Sequence, residues 1–139
     1  MLYSKIMVAV DGSENSLRAV EQAAKLANAS GPDCDVRLLS VIAIDVYSDM
    51  VYDPIEAHGD AQLEKVRPAI ELCAQNGVHA EAILLHGRPA EEIIRVCQDG
   101  GADLLVMGSR GLNALQELAI GSVSHKVLKH VPCPVLIVK

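Results

Sequence analysis

Large aromatic residues are almost missing from this chain of 139 residues, which contains no Phe, no Trp and only three Tyr. Half of its residues (50%) are nevertheless hydrophobic, so the core must be built from Ala, Val, Leu and Ile. Such residues suit helices packed on a buried parallel sheet. The length predicts a single domain over residues 1–139, which is large enough to bury one core.

Clustered positive charge is also absent. The net charge is −6, and no run of Lys or Arg occurs. Nucleic-acid binding depends on clustered basic side chains, so the sequence argues against a nucleic-acid partner. A small anionic ligand held by backbone N–H groups is still compatible with this charge.

Long apolar segments and cysteine pairs are missing as well. No segment approaches the ~18 apolar residues that cross a bilayer, and the first residues lack the layout of a signal peptide. The cysteines show no C-x-x-C pair and no metal-site spacing. These absences predict a cytoplasmic protein without a membrane partner, in which most cysteines are small core residues. The cysteines are Cys34, Cys73, Cys97 and Cys133.

Short apolar runs alternate with segments of helical periodicity along the whole chain. Strands are predicted at residues 5–10, 36–44, 80–85, 102–107 and 134–138. Strands separated by helices predict an α/β fold, a parallel five-stranded sheet with right-handed crossovers and helices on both faces. Such sheets bind ligands beyond the carboxyl ends of the strands, where the strand order reverses. In the order 3-2-1-4-5, Asp11 and Gly108 face one crevice.

Four helices are predicted between the strands. The first is capped near Ser13, the third opens at Pro89, and the last covers roughly residues 121–130. Pro68 predicts a kink or a late start of the second helix, because proline lacks an N–H and clashes one turn back. The polar stretch 45–59 is predicted to be a loop over one end of the sheet. The inward face of the second helix is predicted to contain Leu63, Val66, Ile70 and Cys73.

Glycines follow the fourth predicted strand at a regular spacing. Gly108 and Gly111 are separated by two residues, and Gly121-Ser122 follows after nine more, which gives G-x-x-G-x₉-G-[ST]. Glycine permits φ > 0 and a close approach of the backbone to a ligand. The second pair stands where the last helix begins, with free N–H groups and a positive dipole end. The pattern predicts a phosphate cradle; the alternative is an ordinary strand-to-helix turn.

Other nucleotide-binding and catalytic patterns are absent from the sequence. There is no G-x-x-x-x-G-K-[ST] and no G-x-G-x-x-G after the first strand, and no G-x-S-x-G. The histidines form no H-E-x-x-H or other ligand pair, and His125 and His130 are predicted to cap or decorate the exposed end of the last helix. No side chain identifies itself as a general base. Asp11 is more typical of a cap or a ligand acceptor than of a catalyst.

Three segments resemble the universal stress protein family. They are residues 6–13 (IMVAVDGS), 107–124 (MGSRGLNALQELAIGSVS) and 131–138 (VPCPVLIV). The resemblance covers essentially the whole chain and implies the Rossmann-like fold of the adenine nucleotide α-hydrolases. The chain keeps all four motif positions, as ATP binders of the family do. The resemblance therefore implies binding of ATP, with AMP or ADP as alternatives and Mg²⁺ accompanying the nucleotide.

The resemblance also implies individual contacts. Asp11 and the backbone of Val41 contact the adenine, Ala9 and Met107 line its slot, and Gly108 approaches the ribose. The phosphates are held by Gly111, Gly121, Ser122, Val123 and Ser124.

Arg110 lies at a variable loop position, where it either pairs with a phosphate or is a solvated side chain. The implied function is that of a nucleotide-dependent regulator or scaffold in the stress response. A homodimer through the strand Val135–Val138 is expected, because the strand order leaves this strand at a sheet edge. Two alternatives stay open: a dimeric interaction module whose glycines are only turns, and a slow ATP hydrolase or phosphate-transferring enzyme.

Overall fold

The computed structural model describes residues 2–43, 54–109 and 122–139, without the side chains of residues 43, 54–59 and 122. Strands and helices alternate along these residues. The strands are β1 Lys5–Ala9, β2 Asp35–Ala43, β3 Ala80–Gly87, β4 Leu104–Gly108 and β5 Val135–Val138. The helices are α1 Glu14–Ser30, α2 Pro54–Gln75, α3 Pro89–Gly100 and α4 Ser122–His130. None of the helices described is long and apolar enough to cross a membrane.

The strands form one parallel sheet in the order β3-β2-β1-β4-β5. In the central strand, Ile6 stands opposite Val36 of β2 and Leu104 of β4. The fold class and the strand order predicted from the sequence are confirmed. Because the order reverses at β1, the connections after β1 and β4 leave the same edge of the sheet in opposite directions.

The core consists of two layers, one on each face of the sheet. Neighbouring residues of a strand point to opposite faces, so Ile6 and Val8 pack with α1 and α2 while Met7 packs with α3 and α4. Alanine replaces aromatic bulk at the centre of α1. The small side chains Ala19, Ala23, Ala24 and Ala27 are all buried, which allows the helix to approach the sheet closely.

Helix α2 departs from its predicted form in three respects. It begins at Pro54, so residues 54–59 of the predicted loop are helical; the rest of that loop lies outside the described residues. The late start at Pro68 is wrong, because the helix continues through it. Pro68 lies on the exposed face, where water can reach the carbonyl that loses its N–H partner.

The inward face of α2 also differs from the prediction at one position, where Gln62 takes the place of Leu63. Leu63 is 39% exposed, whereas Gln62 is only 2% exposed. The Gln62 Nε2 donates hydrogen bonds to the carbonyl oxygens of Ser40 (2.7 Å) and Leu85 (3.2 Å). These bonds satisfy the buried amide nitrogen and tie α2 to the ends of β2 and β3. Val66 and Cys73 are buried as predicted.

Asp103 fastens the amino-terminal end of the sheet. Its carboxylate accepts hydrogen bonds from the backbone N–H groups of Ser4 and Lys5, each at 2.7 Å. Burial opposes the ionisation of Asp103, but these two bonds hold the pKa of its carboxyl below the ordinary value. The folded protein therefore favours the ionised form of the Asp103 carboxyl.

We expect Asp103→Ala to lower the free energy of unfolding at pH 7 by about 1.5 kcal/mol, the low end of the range for hydrogen bonds to a charged group, because the bond from Ser4 is exposed to solvent. A group whose pKa is depressed on folding stabilises the protein above its unfolded pKa of about 3.9 and loses this contribution as the pH falls through its folded pKa. Urea unfolding of both proteins should thus show a difference that shrinks as the pH falls below about 4. Asp99→Ala is the control, since Asp99 is exposed and its ion pair with Arg95 is long, at 3.9 Å. An equal difference at neutral and acidic pH would contradict this role.

Candidate functional site

A crevice opens beyond the carboxyl ends of β1 and β4, at the point where the strand order reverses. The empty space between its lining residues, including the part that is open to solvent, is about 390 Å³. Its floor is apolar, and its polar groups come from the β1–α1 connection and the first turn of α1. The residues that line it are Ala9, Val10, Asp11, Asn15, Ser16, Leu39, Val41, Ile93, Met107, Gly108 and Val123.

Asp11 braces the start of α1 with one of its carboxylate oxygens. Its Oδ1 accepts hydrogen bonds from the backbone N–H (2.9 Å) and the hydroxyl (2.5 Å) of Ser13. Ser13 is the N-cap, and its Oγ accepts from the backbone N–H of Ser16 at 3.1 Å. Both hydrogen bonds from Ser13 go to Oδ1 of Asp11, which leaves Oδ2 of this crevice-lining residue available as an acceptor among the described residues. The residue can therefore orient the cap and accept a ligand hydrogen bond at the same time.

Gly108 has a steric reason to be glycine. Its φ is not positive, so the conformational freedom expected from the motif is not used here. A Cβ on this residue would overlap the Oδ1 of Asn15 and lie 2.7 Å from its Cγ. From α4, the buried hydroxyl of Ser124 donates to the Gly108 carbonyl at 3.2 Å. The end of β4 is thus fitted between the first turns of α1 and α4.

The predicted site residues that can be located mostly share this crevice. Six of them line it: Ala9, Asp11, Val41, Met107, Gly108 and Val123. Ser124 is fully buried directly behind Gly108, and Ser122 is the first residue of α4. Arg110, Gly111, Gly121 and the side chain of Ser122 lie outside the described residues.

Two polar residues of the crevice were missed by sequence reasoning. Asn15 and Ser16 are buried although they stand in the first turn of α1. The Asn15 Nδ2 donates to the Val138 carbonyl at 3.2 Å, which links α1 to β5. Asn is unfavourable inside a helix, and this was the available signal. Ile93 of α3 is a buried core residue that also forms part of the crevice wall.

The electrostatics of the crevice differ between its two ends. The carboxylate of Asp11 stands near β1, whereas α4 begins with no acidic residue in its first turn. The free N–H groups and the positive dipole end of a helix favour an anion. A ligand with a hydrogen-bond donor at one end and negative charge at the other matches this arrangement. Among the residues described, no group of three His, Cys, Asp or Glu side chains is placed to hold a metal ion.

Comparison with known proteins gives consistent matches over the full length. The profile of the universal stress protein family matches residues 2–139. A universal stress protein of Thermus aquaticus is 40% identical, covering 99% of this chain and 100% of the relative. A universal stress protein solved in complex with cAMP superposes with a TM-score of 0.80 at 25% identity, over 100% of this chain and 99% of the other. A family protein from Arabidopsis thaliana with AMP bound has a TM-score of 0.71 at 28% identity, over 98% and 91%.

Proposed function

The chain belongs to the universal stress protein family, and we propose on this basis that it binds ATP in the crevice between β1 and β4. In this proposal the protein is a nucleotide-dependent regulator or scaffold rather than an enzyme. The observation that carries the proposal is the crevice itself, which joins an apolar slot, a carboxylate and a glycine-bounded strand end. Relatives solved with cAMP and AMP support an adenine nucleotide as the ligand class.

The base end of the nucleotide fits the apolar part of the crevice. Val41 and Met107 project from the face of the sheet that α3 and α4 cover, and they provide flat apolar walls for a purine. Asp11 offers its second carboxylate oxygen to a donor. Adenine carries such a donor in its exocyclic amine, whereas guanine has a carbonyl oxygen at that ring position. The proposal therefore places adenine against Asp11.

The phosphate end is proposed to lie toward the start of α4. Ser122, Val123 and Ser124 are the first residues of this helix, and their N–H groups belong to its unpaired first turn. Gly111, Gly121 and the side chain of Arg110 would complete the contacts, as the glycine spacing predicts. Mg²⁺ is proposed to enter with the phosphates, since this ion is usually held by substrate phosphates together with few protein ligands.

We expect the purified protein to bind ATP with a Kd of roughly micromolar magnitude, about −8 kcal/mol. Gly121→Val should abolish this binding, because a branched side chain at this motif position prevents a close approach of the phosphates. Isothermal titration calorimetry measures both proteins. A folded Gly121→Val protein that binds ATP like the wild type would show that the phosphates do not bind at the glycine motif. A wild-type protein that binds no ATP would favour a nucleotide-independent interaction module.

We expect ATP to be preferred over GTP by roughly ten- to a hundredfold, because a buried carboxylate that faces a carbonyl oxygen costs on the order of 1–3 kcal/mol. Asp11→Ala should weaken ATP binding and leave GTP binding nearly unchanged, so that the preference narrows. Titration of both nucleotides against both proteins gives the ratio.

Ser13→Ala is the matched control for Asp11→Ala. It removes the cap that Asp11 braces, at a cost of about 1 kcal/mol in stability, but keeps the carboxylate. If Asp11 recognises adenine, Ser13→Ala retains the ATP/GTP ratio while Asp11→Ala reduces it. If the two variants behave alike toward both nucleotides, Asp11 is only part of the helix cap.

The exposed edge of β5 supports a second proposal, a symmetric homodimer through this strand. β5 lies at the end of the sheet, and its four residues are half-buried. The Pro134 carbonyl accepts a hydrogen bond from Leu105 of β4 at 3.0 Å, and the Val138 carbonyl accepts one from Ser109, just after β4, at 2.9 Å. Because backbone groups alternate in direction along a strand, those of Val135 and Ile137 point outward. They can pair with the same strand of a second copy.

Turnover measurements test the alternative that the protein is a slow ATP hydrolase. Among the described residues that line the crevice, Asp11 is the one carboxylate, and its proposed place at the base end keeps it away from the phosphates. We therefore expect no catalysed release of phosphate with Mg²⁺ and excess ATP. Phosphate release that is lost in Asp11→Ala would favour the enzyme instead.

A further inference from the structure

Two cysteines far apart in the sequence meet in the core layer between the sheet and helices α3 and α4. Cys97 lies near the end of α3 and is only 1% exposed. Cys133 lies between α4 and β5, is half-buried, and packs against the same apolar cluster. The two thiols are neighbours that influence each other's ionisation. The Cys97 thiol also contacts the Met7 thioether, with 3.9 Å between the sulfur atoms.

The backbone around Cys133 is restrained on both sides. Pro132 has a fixed φ, and Pro134 restricts Cys133 itself to extended conformations. The Pro134 carbonyl accepts a hydrogen bond from the backbone N–H of Leu105 at 3.0 Å. The Cys133 side chain is thus held toward the core layer, and a thiol held beside another thiol loses little freedom on bonding to it.

The two thiols differ in reactivity. Burial raises the pKa of Cys97 to about 12, with a further increase caused by Cys133. Burial also raises the pKa of Cys133, but hydrogen bonds from its own backbone N–H and from the Cys97 thiol favour its thiolate. Since Cys133 is also the more exposed of the pair, it is the sulfur that an oxidant from solvent reaches first.

We propose that Cys97 and Cys133 form an oxidation site, at which a hydroperoxide converts the two thiols into an intramolecular disulfide. The Cys133 thiolate attacks the O–O bond, so that an S–O bond forms and the peroxide leaves as alcohol or water after protonation. The Cys97 sulfur then attacks the sulfenic acid of Cys133; the S–S bond forms, the S–O bond breaks, and water leaves with the proton of Cys97. Two electrons pass from the thiols to the peroxide.

The disulfide would close a segment that contains β4 and the whole glycine motif. A closed loop of about 37 residues stabilises the folded state mainly by restricting the unfolded chain. For a protein of this size we expect Tm to rise by roughly 10 °C on oxidation. Reduction with a dithiol reagent should reverse the change.

The other two cysteines serve as matched controls. Cys73 is buried in the opposite core layer, where burial raises the pKa of its thiol to about 11. Cys34 lies just before β2, packs against the same opposite core layer, and is half-buried like Cys133. Neither contacts the pair, so Cys34→Ser and Cys73→Ala should leave the oxidation unchanged.

The test treats the full chain with excess hydrogen peroxide at mildly alkaline pH, where more thiolate is present, and then alkylates the remaining thiols. We expect two alkylatable cysteines instead of four, a protein lighter by two hydrogen atoms before alkylation, and a peptide that joins Cys97 to Cys133. Cys133→Ser, at a half-buried loop position, should give no linked peptide and no rise in Tm; Cys97→Ala gives the same result if it folds.

Three results would overturn the proposal. The first is that all four cysteines are still alkylated after treatment with peroxide. The second is that Cys133 becomes sulfinic acid while Cys97 is alkylated. The third is a linked peptide that joins other cysteines or two molecules. Each of these readouts concerns the thiols alone and is independent of nucleotide binding.

Discussion

Gly108→Ala is expected to lower the free energy of unfolding by about 2–3 kcal/mol, in the range for overpacking of a tight interior site. The added Cβ overlaps the Asn15 side chain, which cannot withdraw without breaking its hydrogen bond to the Val138 carbonyl. The backbone carbon of Asn15, 3.3 Å from the Cβ position, limits the space further. Thermal unfolding should show a fall in Tm of several degrees, and ATP binding should weaken because both residues line the crevice.

A second substitution tests whether the loss of stability comes from the clash with Asn15 or from a general effect at the end of β4. Asn15→Ala removes the overlapping amide, while the Val138 carbonyl retains the N–H of Ser109. We therefore expect the double variant Asn15→Ala/Gly108→Ala to be more stable, by at least about 1 kcal/mol, than the sum of the single effects predicts. Strict additivity would show that Asn15 is not the group that excludes a side chain from Gly108.

Ile137→Pro is expected to convert a dimeric protein into a monomer. Proline removes the N–H of Ile137, which points away from β4, and therefore removes a donor from the proposed interface without removing one from the β4–β5 ladder. Light scattering at roughly tens of micromolar should give half the mass of the wild type. Ile137→Val keeps the N–H and should stay dimeric.

Two results would count against the dimer through β5. The first is a wild-type protein that is monomeric at this concentration. The second is an Ile137→Pro protein that is folded, as judged by circular dichroism, and still dimeric. Either result would show that the exposed edge of β5 faces solvent instead of a second copy of the chain.

Local pattern accounts for most of the fold. The apolar runs of five strands, the cap at Ser13 and the proline at Pro89 each act within a few residues, so the chain shows them directly. Helix α2 is the exception. Residues 54–59 were predicted as part of a loop, and Pro68 as a kink or a late start. A proline in the first turn of a helix costs no hydrogen bond, however, and one on an exposed face costs little when water replaces the lost donor.

In the candidate site, too, local pattern predicted some of the contributing residues and missed others. The glycine spacing and the position of Asp11 after β1 predicted which strand ends form the crevice, because the carboxyl ends of adjacent parallel strands meet at one edge. The contribution of Asn15 was not predictable from its own segment, since it depends on the approach of α1 to β4. The same holds for Gly108: its smallness serves the packing of α1, a reason that no pattern within residues 104–109 contains.

By itself the sequence determined the order of the elements, the parallel sheet and the family, because periodicity, caps and motif spacing are properties of neighbouring residues. The tertiary structure alone decided which residue at the margin of a buried stripe enters the core. Gln62 is buried and Leu63 exposed because two carbonyls at the ends of β2 and β3 need a donor at that position. It also brought Cys97 beside Cys133. Such contacts depend on how helices settle on the sheet, and packing fixes that over the whole molecule at once.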